Sequence, residues 1–273
     1  MDRDTFLNNV VQRTEIPRES INRPMYTGES LMTRKILKMI PLGRLVLLGA
    51  LIAAGTMQAG SAQAQDAKTP YPNMAPLEQY LMPDRNVEIA LARTAAPKSI
   101  SIDATVLVLG RRGYETAVEG KNGFVCVVER AWMSPFDDPE FWNPKNRSPI
   151  CYNPPAARSV LPYTLKRTEL VLAGLTNPQM LEHIKAAVAK KELLAPEPGA
   201  MSFMLSKEQY LADSVGHWFP HMMFHIPKTD GASWGANLPG SPVVLDPRVV
   251  PEPQTVFYVP VGKWSDGTPA PAM

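Results

Sequence analysis

The sequence predicts one α+β domain: an antiparallel sheet of five to six strands with helices packed mainly on one face. Three observations predict it. Three short apolar strand segments follow one another between residues 104 and 130. Two stripes at helical spacing fill residues 161 to 193, joined by a short link around Gly174. Three further strand segments lie between 200 and 261. Strands, then a helix pair, then strands again is an α+β order rather than the alternation of a parallel sheet.

That domain is expected to begin at Gln65. Residues 32–66 read MTRKILKMIPLGRLVLLGALIAAGTMQAGSAQAQD. Arg34, Lys35, Lys38 and Arg44 form a basic region, Leu45 to Met57 is largely apolar, and Ala62-Gln63-Ala64 is a small-x-small cleavage pattern. Together they read as a secretory signal peptide. The apolar run of 13 residues is shorter than the roughly 20 that a spanning helix needs, so cleavage is expected to leave no membrane span. Residues 1–64 are therefore set apart as an N-terminal extension and signal peptide, with Met25 and Met32 as alternative starts. Residues 65–273 form the mature domain, expected in the periplasm or outside the cell.

Charge narrows the function classes. The whole chain has 28 Lys and Arg against 26 Asp and Glu. Eight of the basic and five of the acidic residues precede Gln65, leaving 20 against 21. No mature segment is basic enough to track a phosphate backbone, so nucleic acid is not an expected partner. Of 28 prolines, 25 fall in the mature part, which predicts stiff, extended connections.

Taken in order, Asp84 caps a helix through about Ala95, with Val87, Ala90 and Leu91 on one face. Residues 104–109, ATVLVL, are apolar on both faces and read as a central strand. Residues 114–118 alternate, and Asn122-Gly123 then signals a hairpin into 124–130, FVCVVER, with antiparallel pairing. There Phe124, Cys126 and Val128 share one face. A proline-studded aromatic loop leads back to Cys151, the other of the chain's two cysteines. Two cysteines in an exported chain read as a disulfide, which makes strand and loop one unit. A buried thiol pair is the bland alternative, and the CxxC of a redox pair is absent. Leu161, Leu165, Thr168 and Leu172 mark one helix, stopped by Gly174. Thr176 and Gln179 form the capping box of the next, whose stripe is Met180, Leu181, Ile184, Ala187 and Val188. Strands are then expected at 200–205, at 221–226 between Pro220 and Pro227, and at 255–261, where Pro260 implies an edge or an early end. The Gly/Pro-rich loop from Lys228 to Val250 is long enough to suit a functional role.

The segments GFVCVVER, DDPEFWNPKNRSPICYNPPAA, WGANLPGSPV and VPVGKWSDGT resemble a group of uncharacterised exported bacterial proteins. The resemblance runs from Pro76 to Thr268. It implies export and a single domain, and brings no activity, ligand or catalytic residue with it.

The candidate chemistry is sparse. His217, His221 and His225 in HWFPHMMFH could ligate zinc, or copper with help from Met201, Met204, Met222 and Met223. The flanking prolines favour a strand, however, and a four-residue step there separates Cα atoms by roughly 13 Å, too far for His221 and His225 to share one ion comfortably. Trp132, Trp142, Trp218 and Trp234 all fall in or beside loops; gathered, they would line a ligand pocket or a partner surface, and dispersed they would plug the sheet. Asp137, Asp138 and Glu140 match no calcium loop. Gly231 to Gly235 spells GxSxG around Ser233, but ANLPGSP follows where a nucleophile elbow needs a helix. The reading that results is a non-catalytic module binding a small molecule or an envelope protein, with no cofactor. The alternative is a metal-dependent hydrolase using HWFPHMMFH.

Overall fold

The computed structural model describes residues 70–271 apart from 247 and 249; the signal peptide and its cleavage site lie outside them. The described residues build a single eight-stranded sheet, β1 (Thr105–Gly110), β2 (Gly113–Val118), β3 (Val125–Glu129), β4 (Ser148–Tyr152), β5 (Met201–Met204), β6 (His221–Pro227), β7 (Val244–Leu245) and β8 (Gln254–Pro260). Their spatial order is β2-β1-β3-β4-β5-β6-β8-β7. The α+β class holds, but the sheet exceeds the expected five to six strands and is mixed. Among the described residues no helix is long and apolar enough to cross a membrane.

The departure from antiparallel order comes at Asn122-Gly123. β1 and β2 form the expected hairpin, but β3 pairs with β1, on its other side and in parallel. Residues 119–124 therefore cross the start of β1 instead of turning β2 back on itself. Lys121 N donates to Asp103 O at 2.7 Å, Gly120 N to Thr105 Oγ1 at 3.0 Å, and Thr105 N to Phe124 O at 2.9 Å. A Cβ on Gly120 would sit 2.1 Å from Thr105 N. Only glycine permits so close an approach of two backbones.

β4 is a strand within what the sequence presents as loop. Pro149 and its proline-rich flanks hide it, yet it pairs antiparallel with β3, and Cys126 lies directly opposite Cys151. The two are disulfide-bonded, their Cα atoms 4.0 Å apart. The expected strand face holds as well, since Cys126 and Val128 pack with Leu91, Ala92, Ala95, Val106 and Cys151, and Phe124 flanks them.

Helices cover both faces of the sheet rather than mainly one. The helix α1 (Arg85–Arg93) and the single turn α2 (Lys98–Ser101) lie on the disulfide side. Asp84 caps α1 as expected, accepting from Asn86 N at 2.8 Å. Its buried face is turned from the expected one: Val87 and Ala90 are exposed, while Glu88, Leu91 and Ala92 are buried. Glu88 can go inside because Arg130 Nη2 reaches its Oε1 at 2.9 Å, and Leu109 N donates to the same oxygen at 3.2 Å.

The opposite face packs Val127, Ile150 and Tyr152 against α3 (Pro154–Ser159), α4 (Leu161–Leu172) and α5 (Asn177–Ala189). Gly174 ends α4 with φ of 79°, and Gln179 Oε1 accepts from Thr176 N at 2.9 Å at the start of α5. On α4, Leu165 is exposed, and the buried face carries Thr164, Arg167 and Thr168. An amphipathic stripe read by hydrophobicity alone misses a face that is buried because it is hydrogen-bonded. In the C-terminal half, β8 ends at Pro260 but is not an edge, because β7 pairs along its outer side.

Candidate functional site

Helices α3 to α5 do not cover the whole of their face. Beyond them, the sheet from β3 to β8 is the floor of a cleft of about 900 Å³. Alternation along each strand decides which residues reach it. Glu129 comes from β3; Ser148, Ile150 and Tyr152 from β4; Met204 from β5; His221, Met223 and His225 from β6; Val256 and Tyr258 from β8. Val160, Tyr163, Thr164 and Arg167 of α3–α4 and the loop between them make one wall. The loops around 133–146, 211–218 and 244–254 make the rest. Four strand spacings separate Glu129 from Tyr258, roughly 19 Å along the sheet, so the cleft is long.

At one end stands Glu129, 8% exposed. Its Oε1 accepts from Thr164 Oγ1 at 2.6 Å and from the Tyr152 hydroxyl at 2.5 Å. Burial pushes its pKa up, and the two hydroxyls only partly offset that. Tyr152, buried beside this carboxyl, is held well above the ordinary tyrosine value. Arg167, one turn along α4, gives its Nε and Nη2 to Glu252 at 2.7 and 3.0 Å and its Nη1 to the carbonyls of Trp132 and Ser134. Its guanidinium also sits 4.3 Å over the Phe136 ring. This buried ion pair pins the loop before β8 to α4.

At the other end are the β6 histidines, on a strand as expected. His225 is saturated: Nδ1 donates to Gln254 Oε1 at 3.1 Å, and Nε2 accepts from Ser202 Oγ at 2.9 Å. His221 donates from Nδ1 to Phe219 O at 2.9 Å, and its buried Nε2 has no partner among the described residues. Burial pushes both pKa values down to about 4, so the rings are neutral at pH 7. Trp218 packs edge-on against His221 with centroids 4.7 Å apart, and Tyr258 lies 5.6 Å from the same ring. Burial raises the Tyr258 hydroxyl to about 12.

The structure disperses most of the residues singled out by sequence. His217 is exposed and packs edge-on against Tyr210, away from the cleft lining. Among the described residues no three His, Cys, Asp or Glu side chains stand together as a metal-binding group. Of the tryptophans, only Trp218 lines the cleft. Trp132 and Trp142 are core: Trp132 donates its indole N–H to Thr168 Oγ1 at 3.0 Å, and Trp142 packs edge-on against Phe141. Their loop folds inward because Arg167 and Tyr80 take its carbonyls. Trp234 is 40% exposed and stacks on Phe257, 4.5 Å away. Ser233 donates to Asp230 O within a short 3₁₀ turn, not a nucleophile elbow. Glu140 caps a loop, accepting from Ser214 N at 2.9 Å and Asn143 Nδ2 at 2.8 Å.

Sequence reasoning missed Glu129, Tyr152, Thr164 and Tyr258. A signal for the first was present: in FVCVVER the alternation sets Glu129 on the face of Val125 and Val127, a charge at the end of an apolar row. The others are ordinary strand and helix residues until the sheet brings them together. The chain has no match to a protein-family model, to a curated protein or to a solved structure.

Proposed function

We propose that this protein is a non-catalytic module that binds a small molecule in the cleft over β3–β8. The cleft carries the reading. Its volume of about 900 Å³ falls within the range of small-molecule sites, and its lining combines apolar surface with a few converging polar groups. Glu129 and His221 at its two ends have hydrogen-bonding capacity that the fold leaves unused. Groups so costly to bury suit a place where a ligand completes them.

The setting we propose is the periplasm or the exterior. The signal-like segment before Gln65 supports it, as does the Cys126–Cys151 disulfide, a bond that persists in oxidising compartments. Intact mass of the exported protein is expected to begin at Gln65, and a mass retaining Leu45 to Met57 would count against it.

Binding is tested with the apolar fluorophore N-phenyl-1-naphthylamine. The wild type should bind one equivalent and quench Trp218. Met223→Trp, which fills the floor, should abolish binding while leaving the far-ultraviolet circular dichroism unchanged. Absence of binding by the wild type, or equal binding by the filled variant, overturns the reading.

A further inference from the structure

Glu129 is a buried carboxyl with no ion-pair partner among the described residues, and Arg167, paired with Glu252, only weakly offsets its burial. Its hydrogen bonds come from two hydroxyls, both at Oε1; Oε2 has no partner among the described residues. The cations that line the cleft have other partners. Arg130 follows Glu129 in the chain and also borders the cleft, but its guanidinium pairs with Glu88 and donates to Tyr80 O. Arg167 forms its two-point pair with Glu252. Arg248, at the rim, is held by Asp138 and Asp246, and Lys228 donates to Val250 O. Met133, Ile150, Tyr163 and Thr164, which also line the cleft, carry no charge.

A buried charge without an opposite charge is costly, and one paired in dry surroundings gains strongly. The Tyr152 and Thr164 hydroxyls donate to the carboxyl and offset only part of the burial that disfavours its charge. A cation arriving through the open cleft at the unpartnered Oε2 would supply the rest and hold Glu129 ionised. We infer that the Glu129 end of the cleft receives the cationic group of the ligand, a protonated amine carried on an apolar body. This rests on the cleft being a ligand site. The amine donates to Oε2, and the body lies along the apolar floor toward Met223.

The test compares 2-phenylethylamine with 2-phenylethanol, which match in shape and differ in the charged donor. Calorimetric titration of the wild type at pH 7 should show the amine binding at least about tenfold more tightly, the scale of a hydrogen bond to a charged group. Glu129→Gln keeps the shape and removes the charge, and should bring the two affinities together. Equal affinities in the wild type, or a preference that survives in Glu129→Gln, overturns the inference. A wild-type crystal soaked with the amine serves if the variant fails to fold. The nitrogen should lie within about 3 Å of Glu129 Oε2, and any other position overturns the assignment. Failure of both phenylethyl probes while N-phenyl-1-naphthylamine still binds overturns this inference and leaves the cleft reading standing. Failure of the fluorophore as well removes both.

Discussion

Mild acid should unfold this protein through His221 and His225. Both rings are buried, both are held at about pKa 4, and an unfolded histidine titrates near 6.5. Between those values the unfolded chain takes up protons that the folded chain refuses. Stability is therefore fully present above about pH 6.5 and is lost as the pH falls toward 4. A difference of about 2.5 units corresponds to about 3 kcal/mol for each ring, or on the order of 6 kcal/mol together. That is comparable to the whole stability of an ordinary domain. Glu129 acts in the opposite sense. Its pKa is raised by burial, so its protonation recovers some stability as the pH falls, and it moderates the acid loss without reversing its sign. Urea unfolding followed by tryptophan fluorescence at pH 7.5, 6.5, 5.5 and 4.5 measures the effect. The slope should approach about 2.7 kcal/mol per pH unit near the middle of the range, the limit for two protons. Between pH 6.5 and 5.5, above the range where carboxylates titrate, His225→Gln should halve it, and His221→Phe with His225→Gln should nearly abolish it. A flat wild-type profile, or an undiminished slope in the double variant, would refute the argument that these rings are kept neutral by burial.

Other perturbations follow from the same packing. Replacing Cys126 and Cys151 together by alanine should cost about 3.5 kcal/mol, from the entropy of the 25-residue loop they close; an unchanged urea midpoint would show that the pairing of β3 with β4 needs no staple. Gly120→Ala forces a methyl against the backbone of β1 and should lower the melting temperature by roughly 10 °C, equivalent to about 3 kcal/mol. Glu88→Gln leaves Arg130 buried without a counter-charge and should cost about 3–5 kcal/mol. A loss below about 1 kcal/mol would mean that the carbonyls of Tyr80 and Val128 suffice to hold the guanidinium.

Sequence alone determined what depends on neighbours along the chain. Asp84 as a cap, Gly174 as a stop and the Thr176–Gln179 capping box were legible because capping is local chemistry. So was the strand at 221–226, because two prolines bracket it. The cysteine pair followed from there being two of them in a chain that reads as exported. Tertiary structure alone decided what depends on partners far away. Asn122-Gly123 reads as a hairpin, yet β3 lies against the other side of β1, where β4 joins it, and Gly120 lets the chain cross. Glu88, Arg130 and Arg167 are buried because each finds its counter-charge between 42 and 85 residues away. The cleft belongs to this second kind. Glu129, Tyr152, His221 and Tyr258 lie on four different strands, and no pattern within a strand reports which strands stand side by side.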